Sequence, residues 1–289
     1  MTGSLMRIRP SNPSKSPLKG RLGRALIILD LYNIVENEFN NFILYLFMAL
    51  PFFYIETIDP GSSEIVLNEE TSKHIAQVLR MQLGEQLQLT DGKGNLFTAE
   101  ITDNNKKHCT VNVLKTSNIQ PSASNISIGI SLIKNTSRFE WFLEKATEIG
   151  VSGIIPLICE RTEKERFRHD RMQQICISAM LQSQQCWLPV LHEPVLFEKF
   201  CQSSSTLTKG KDYQQKFIAH CIDGEKRNLS DMMNESLSSK IILIGPEGDF
   251  TKEEVELAMQ HHYIPVALGS TRLRTETAGV VAASLLCLV

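Results

Sequence analysis

The sequence predicts an α/β protein in which a small β-rich region precedes a larger region built around a parallel sheet. Residues 52–116 contain short runs of alternating polar and apolar side chains separated by tight turns, as in a small barrel or sandwich. Residues 117–125 form a connector rich in Ser, Pro and Asn. From residue 126 onward, apolar strand-like runs alternate with helical periodicity, which is typical of β-α-β units.

The first region contains one predicted helix and several short strands. Apolar residues at helical spacing predict a helix within residues 69–79. Residues 86–90 alternate in polarity, the sequence DGKG at residues 91–94 is a tight-turn signal, and residues 96–101 supply the returning strand. Residues 109–114 alternate again and predict a further strand.

The second region begins with a clear β-α-β unit. Residues 126–133 read as a strand, and residues 138–149 carry an apolar stripe at the spacing of a helix that lies on a sheet. Gly150 stands where the end of a helix favours a left-handed backbone, and residues 154–158 form the next strand. The remaining predicted elements are a helix at 170–184, strands at 217–219, 240–244 and 264–268, a helix at 252–261, and a final apolar helix from about Glu276.

Composition excludes several classes of protein. A hydrophobic content of 42%, a charged content of 21% and a net charge of −2 are those of a globular protein without global affinity for nucleic acid, although a local basic groove remains compatible with them. The cysteine count is odd, and no two cysteines have the spacing of a zinc ligand pair. We therefore expect no metal site and a reducing, cytoplasmic environment.

The amino-terminal segment, residues 1–47, differs from the rest of the chain and is interpreted as a non-native or disordered extension. Residues 1–24 are rich in Ser, Pro, Lys and Arg. The longest apolar run, residues 42–55, is shorter than the about 20 residues that a membrane-spanning helix needs, so no membrane association is predicted. Met48 opens the sequence MALPFFY, which reads like a natural start.

Two glycine-containing loops each join an apolar strand to a helix. The first is IGPEGDF, residues 244–250, followed by Thr251 and Glu254 at the spacing of a capping box. The second is LGSTRLRTETA, residues 268–278, in which Thr275 is suited to an N-cap position. Neither loop is one of the two common phosphate-binding motifs. Taken alone, the first loop is equally compatible with a purely structural turn.

The two loops together predict a ligand crevice, because ligands of open α/β sheets bind beyond the carboxyl ends of the strands. Arg274 and Glu276 in the second loop bring opposite charges to this crevice. These two side chains are also compatible with an ordinary solvated ion pair.

The paired motifs, in this order and spacing, resemble the RsmE family of ribosomal RNA methyltransferases in the SPOUT superfamily, whose pattern is IGPEGG followed by LG-x-x-x-LR-x-ETA. The resemblance extends to SRFEWFLEKATEIGVSGIIPLICERT at residues 137–162 and HIAQVLRMQLGEQLQLTDGKG at residues 74–94. It therefore covers nearly the whole chain beyond about Phe52.

The resemblance implies a PUA-like RNA-binding β-barrel at residues 48–118 and an α/β methyltransferase domain with a trefoil knot at residues 125–289, acting as a homodimer. The implied reaction is methyl transfer from S-adenosylmethionine to N3 of a uridine in 16S rRNA of the small ribosomal subunit. By similarity, the residues that contact the cofactor are Ile244, Gly245, Glu247, Gly248, Leu268, Gly269, Leu273, Arg274 and Ala278.

Arg274 and Glu276 are the candidate catalytic residues. Uracil N3 carries a proton at neutral pH, so a base must remove it or the anionic ring must be stabilised. Arg274 would stabilise negative charge on the uracil oxygens, and Glu276 would orient Arg274 or accept a proton. The sequence does not choose between these roles.

Candidate RNA-binding residues lie in both regions. The candidates for phosphate contacts are Lys73, His74 and Arg80 in the first region and Arg161, Lys164, Arg166, Arg168 and Arg171 in the second, of which Arg161, at the end of a strand, is preferred. Arg161 belongs to a basic cluster with Lys164, Arg166, Arg168 and Arg171, but this cluster is interleaved with acidic residues, so a solvated charged face is an equal alternative for most of it.

The chain departs from the family pattern at three places. Asp249 replaces the last glycine of GPEGG, and Ala219-His220-Cys221 differs from the usual upstream loop. Leu181 and Gln185 stand where many members have Glu and Arg. The lost charges leave open a second hypothesis, an RNA-binding ribosome-assembly factor that has lost catalysis, and a third, a methyltransferase acting on another RNA.

Overall fold

The computed structural model describes residues 50–58, 61–163, 166–207, 212–222, 224, 226–234 and 236–288. The predicted extension at residues 1–47 and the predicted start at Met48 lie outside these residues. The described part of the chain contains a five-stranded sheet followed by an eight-stranded sheet.

The first sheet has the strand order β1-β3-β4-β5-β2. β1 and β3 run in parallel, and the other pairs are antiparallel. The predicted hairpin is confirmed, with Gly92 and Gly94 at φ of 69° and 92° in its turn. The strands are β1 (Phe52–Tyr54), β2 (Glu64–Val66), β3 (Gln86–Thr90), β4 (Asn95–Asp103) and β5 (Thr110–Asn118).

The helical segment of the first region starts and ends at well-defined caps. Helix α1 (Glu69–Lys73) begins where the side chain of Asn68 accepts the backbone N–H of Thr71 (2.8 Å). It continues directly into a π-helical segment, His74–Leu79, which ends at Arg80 in the left-handed conformation, φ 56°. The two segments together occupy the predicted helix.

The second sheet is parallel throughout, as predicted. Its strand order is β11-β13-β10-β12-β6-β7-β8, and β9 also pairs with β7. The strands are β6 (Asn125–Ser131), β7 (Gly153–Ile158), β8 (Val190–Leu191), β9 (Val195–Leu196), β10 (Gln215–Ala219), β11 (Arg227–Asn228), β12 (Ser239–Ile244) and β13 (Ile264–Ala267).

Helices cover both faces of this sheet. One apolar core includes Ile128, Phe142 and Ala282, and a second includes Phe200 and Phe250. The near-continuous apolar strands follow from burial on both faces. The helices are α2 (Thr136–Ile149), α3 (His169–Gln182), α4 (Phe197–Leu207), α5 (Leu229–Met232), α6 (Lys252–Gln260) and α7 (Thr275–Cys287). Helices α2, α3 and α7 belong to the first core, and α4 and α6 to the second.

The hairpin turn of the first sheet is hydrogen-bonded to the segment that follows α3. The backbone N–H of Gly94 donates to the carbonyl of Cys186 (2.8 Å), and that of Leu188 donates to Gly92 (2.9 Å). The indole N–H of Trp187 donates to the carbonyl of Ile119 (3.0 Å). These bonds fix the β3–β4 hairpin against the second region.

Candidate active site

A cavity of about 710 Å³ lies beyond the carboxyl ends of β10, β12 and β13. Its walls are the loops at residues 219–221, 244–249 and 266–275. The two motif loops predicted to meet do line one cavity. However, β10 lies between β12 and β13 in the sheet, so a third loop, which follows β10, contributes to the same wall.

The first motif loop is held by contacts on both sides. Gly245 is buried, and a Cβ there would lie 3.1–3.2 Å from atoms of Phe250, so the backbone packs closely. A carboxylate oxygen of Glu247 accepts the backbone N–H of Lys134 (3.1 Å). Nη1 of Arg161 donates to the carbonyl of Gly248 (2.7 Å). These bonds hold the loop at a fixed position above the sheet.

The helix after this loop starts at the predicted capping box. The hydroxyl of Thr251 accepts the backbone N–H of Glu254 (3.2 Å), and the carboxylate of Glu254 accepts the N–H of Thr251 (2.9 Å). Its other oxygen accepts the N–H of Glu160 (2.9 Å). The buried Glu254 therefore joins this loop to the end of β7.

Asp249 connects two loops of the cavity. Its backbone is left-handed, φ 65°, which Gly, Asn and Asp adopt more readily than other residues. Oδ2 accepts the backbone N–H of Cys221 (2.7 Å), and Oδ1 accepts that of Phe250 (2.9 Å). A glycine at this position cannot form either bond, so the departure from the family pattern has a structural role.

The second motif loop presents an open surface to the cavity. Gly269 has φ 143°, and a Cβ at this position would meet no heavy atom within 4 Å. Leu268, Leu273 and Ala278 supply apolar lining, and Arg274 lines the cavity at the N-cap of α7. Of the nine residues predicted to contact the cofactor, all line this cavity except Gly248, whose carbonyl faces Arg161.

Glu276 is buried and lies beside Arg138, an arginine that no sequence motif marks as a site residue. Its side chain is 8% exposed, and Oε1 lies 3.6 Å from Nε of Arg138. Oε2 is buried without a hydrogen-bond partner among the described residues. Arg138 lines the cavity, whereas Glu276 does not. The geometry thus places the carboxylate of Glu276 behind Arg138 rather than in an ion pair with Arg274.

His220 and Lys226 are two further cavity residues, and neither was predicted as a site residue. Nζ of Lys226 donates to the carbonyls of His220 (2.8 Å) and Ile222 (2.6 Å) and so closes the loop after β10. Burial, with a further contribution from the charge of Lys226, lowers the pKa of His220, while Asp249 opposes this shift. The imidazole is therefore neutral at neutral pH.

The predicted RNA-binding residues divide into two groups. Lys73 is paired with Glu69 (2.7 Å), the ring of His74 meets that of Phe53 edge-on (5.8 Å between centroids), and Arg80 is exposed. These three residues lie in or directly after the helical segment of the first region. Arg161, by contrast, supports the first motif loop, and Lys164 lies outside the described residues.

One of the two lost charges, at Gln185 just after α3, has a structural explanation. Nε2 of Gln185 donates to the carbonyls of Thr147 (3.0 Å) and Glu148 (2.9 Å) at the end of α2. These carbonyls belong to the last turn of the helix, where intrahelical donors are missing. Gln185 thus stabilises the contact between α2 and the segment after α3. Nothing in the structure explains Leu181.

Comparison with known proteins defines the class. A family model described as an RNA methyltransferase domain matches residues 120–287, and one described as an RNA methyltransferase PUA domain matches residues 67–114. An α/β sheet with a crevice at its strand ends, preceded by a small β region, is thus the architecture of an RNA-modifying enzyme. The chain belongs to this family of RNA methyltransferases.

Individual relatives agree with the predicted family. The chain is 29% identical over 224 residues to the ribosomal RNA small subunit methyltransferase E of Synechocystis, covering 75% of this chain and 71% of the relative. It is 36% identical to a probable rRNA-methyltransferase structure from Porphyromonas gingivalis (TM-score 0.73), covering 81% and 96%. A ribosomal RNA small subunit methyltransferase E from Neisseria gonorrhoeae, solved bound to S-adenosylmethionine, is 27% identical (TM-score 0.71), covering 81% and 95%.

The described ranges hold neither a metal-ligand cluster nor a helix suited to cross a membrane. These ranges contain no group of three or more His, Cys, Asp or Glu side chains that could hold a metal ion. Among the same residues, no helix has the length and apolar character needed to cross a membrane. All seven cysteines lie within the described ranges and are free thiols.

Proposed function

We propose that this chain transfers a methyl group from S-adenosylmethionine to N3 of a uridine in 16S rRNA of the small ribosomal subunit. The observation that carries the proposal is the cavity formed by the two motif loops at the carboxyl ends of β10, β12 and β13. The chain that holds this cavity belongs to the RNA methyltransferase family. Relatives called ribosomal RNA small subunit methyltransferase E match most of its length.

The cavity suits the proposed cofactor. Ile244, Leu268, Leu273 and Ala278 give an apolar lining of the kind that holds a heterocyclic base. The open surface at Gly269 leaves backbone groups accessible for hydrogen bonding. When bound, S-adenosylmethionine supplies an activated methyl group on a sulfonium, so the protein's main task is to align donor and acceptor.

The protein must also deal with the proton on uracil N3. Arg274 at the start of α7 is placed to stabilise negative charge that develops on the uracil oxygens. Arg138 adds a second guanidinium to the same cavity, and the buried Glu276 orients it through its Oε1 contact. In this proposal Arg274 acts on the substrate, while Glu276 acts through Arg138 or accepts the proton with its unpartnered oxygen.

Further features of the family complete the proposal. We propose domains at residues 48–118 and 125–289, a trefoil knot formed by the two motif loops, a homodimer and a cytoplasmic location. Lys73, His74 and Arg80 would contact RNA from the PUA domain. The alternative of a catalytically inactive assembly factor is not favoured, because the family motifs of both loops line one cavity.

The test is incubation of the purified protein with unmodified small ribosomal subunits and isotopically labelled S-adenosylmethionine, followed by nucleoside mass spectrometry. The proposal predicts labelled 3-methyluridine. A different labelled nucleoside would retain methyl transfer and reject the uridine-N3 substrate. Absence of any label, together with absence of calorimetric heat for S-adenosylmethionine, would favour the inactive assembly factor.

A further inference from the structure

A second cavity, of about 330 Å³, opens where helices α2 and α3 begin. Three arginines line it, Arg166, Arg168 and Arg171, together with Ser137 and one acidic residue, Glu140. Three guanidinium groups against one carboxylate give the walls a positive charge. The cavity is distinct from the candidate active site and shares no lining residue with it.

The arginines have different partners. Arg171 forms a bidentate pair with Glu140, at 2.6 Å from Nε and 3.0 Å from Nη2, and this contact raises the pKa of Arg171. Arg166 and Arg168 are exposed, and neither has a hydrogen bond or an ion pair with another described residue. Glu140 thus neutralises Arg171, and two guanidinium groups remain available to an external anion.

The backbone adds to the positive potential of this cavity. Arg168 is the N-cap of α3, and its side chain makes no capping hydrogen bond. The N-termini of helices carry a partial positive charge, and α2 begins at the same cavity. Asp170 in the first turn of α3 does not line the cavity. The helix dipoles and the exposed arginine side chains therefore both favour an anion.

The cavity adjoins the candidate active site. Ser137 lines the second cavity, and the next residue of α2, Arg138, lines the first. Consecutive Cα atoms are about 3.8 Å apart, so the linings of the two cavities meet on α2, within reach of neighbouring nucleotides of one strand. Arg161 does not share this availability, because its guanidinium is hydrogen-bonded to Gly248.

We propose that Arg166 and Arg168 bind a backbone phosphate of the substrate RNA next to the nucleotide that is methylated. This inference rests on the proposed function and identifies an RNA-contacting face of the second region. A guanidinium group presents paired N–H donors that match two oxygens of a phosphate. Two guanidinium groups at one cavity, unpaired among the described residues, therefore favour phosphate binding over a merely solvated charged surface. The site positions RNA and does not read its sequence.

The test compares the Arg166→Gln/Arg168→Gln double variant with a control of equal charge change, Lys199→Gln/Lys252→Gln. The control lysines are exposed on α4 and α6, which pack in the other core of the sheet. Binding to unmodified small ribosomal subunits is measured by co-sedimentation at several salt concentrations. Methyl transfer to the same subunits and calorimetric binding of S-adenosylmethionine are measured in parallel.

Loss of the contact with one phosphate should reduce the dependence of log affinity on log salt by about 0.7, the value per phosphate on a single strand. The KM of the double variant for subunits should rise, and its affinity for S-adenosylmethionine should not change. The control variant should behave like the wild type in both measurements. An unchanged salt dependence, or an equal change in the control, would overturn the proposal. The proposal would also be overturned if the wild type bound inorganic phosphate in calorimetry while the double variant kept its affinity for subunits, because the cavity would then bind a free anion and not the RNA. A wild type that binds subunits but transfers no methyl group would reject the proposed function without affecting this readout.

Discussion

Replacement of Asp249 by Gly tests whether the first motif loop and the loop after β10 keep their positions without the hydrogen bond of its carboxylate to Cys221. The substitution restores the residue found in the family pattern and keeps the left-handed backbone unstrained. It removes the acceptor for the backbone N–H of Cys221 (2.7 Å) and that for Phe250 (2.9 Å). The loop after β10 then loses its hydrogen bond to the first motif loop.

The magnitude follows from the geometry of these bonds. A hydrogen bond to a charged group contributes about 1.5–3 kcal/mol, and the lower end applies because Cys221 is exposed. We expect Asp249→Gly to lower the free energy of unfolding by about 1.5 kcal/mol, because the loss of two bonds, about 3 kcal/mol, is partly offset by about 1–2 kcal/mol when glycine relieves the left-handed backbone. Asp249→Ala keeps the unfavourable backbone and should cost about 1 kcal/mol more. Asp249→Asn retains an acceptor and should cost less than either.

The assay is urea unfolding of the four proteins, combined with calorimetric titration with S-adenosylmethionine. If cofactor binding requires both loops in their present positions, the loss of about 1.5 kcal/mol weakens affinity about tenfold in the Gly variant. Equal stability of the Gly and Ala variants would refute the backbone argument. Wild-type affinity in the Gly variant would show that the connection does not serve the cofactor site.

Further predictions concern packing, catalysis and pH. Gly279→Ala would place a Cβ 2.6 Å from the ring of Phe142. Urea unfolding should show a free energy of unfolding about 1–2 kcal/mol lower, after the gain in helix propensity is included, and unchanged stability would contradict the close packing. Arg274→Ala should reduce turnover at saturating cofactor about 100- to 1000-fold, and near-wild-type turnover would remove Arg274 from catalysis. Burial lowers the pKa values of His192 and His220 below 6.5, so their contribution to stability is complete above pH 6.5 and is lost as pH falls below it. Urea unfolding at pH 7.5 and 5.5 should show a smaller pH dependence for His192→Gln than for wild type, and equal dependence would contradict this.

Local patterns account for most of the fold. The helix at residues 138–149 and its terminal glycine are recognisable because the apolar stripe and the left-handed cap are local requirements, and Gly150 has φ 95°. The tight turn at Gly92 and Gly94 is predictable for the same reason. Helix α4 and the two-residue strands carry no comparable local pattern and are therefore not predictable from the sequence.

The candidate site could be predicted only in part. The sequence predicts that two parallel strands bring their loops together, and β12 and β13 do so, but β10 lies between them. The order of strands in a sheet is a tertiary property, so the contribution of His220 to the cavity has no local signal. The contact between Arg138 and Glu276 joins two helices that are far apart in the sequence, so no local pattern indicates it.

The most direct test of the central claim is amide hydrogen exchange of the protein with and without S-adenosylmethionine. If this cavity binds the cofactor, exchange should become slower on binding in residues 219–222, 245–250 and 268–278, the segments around the cavity. Protection confined to another part of the chain, or the absence of protection at saturating cofactor, would contradict the assignment of this cavity as the cofactor site.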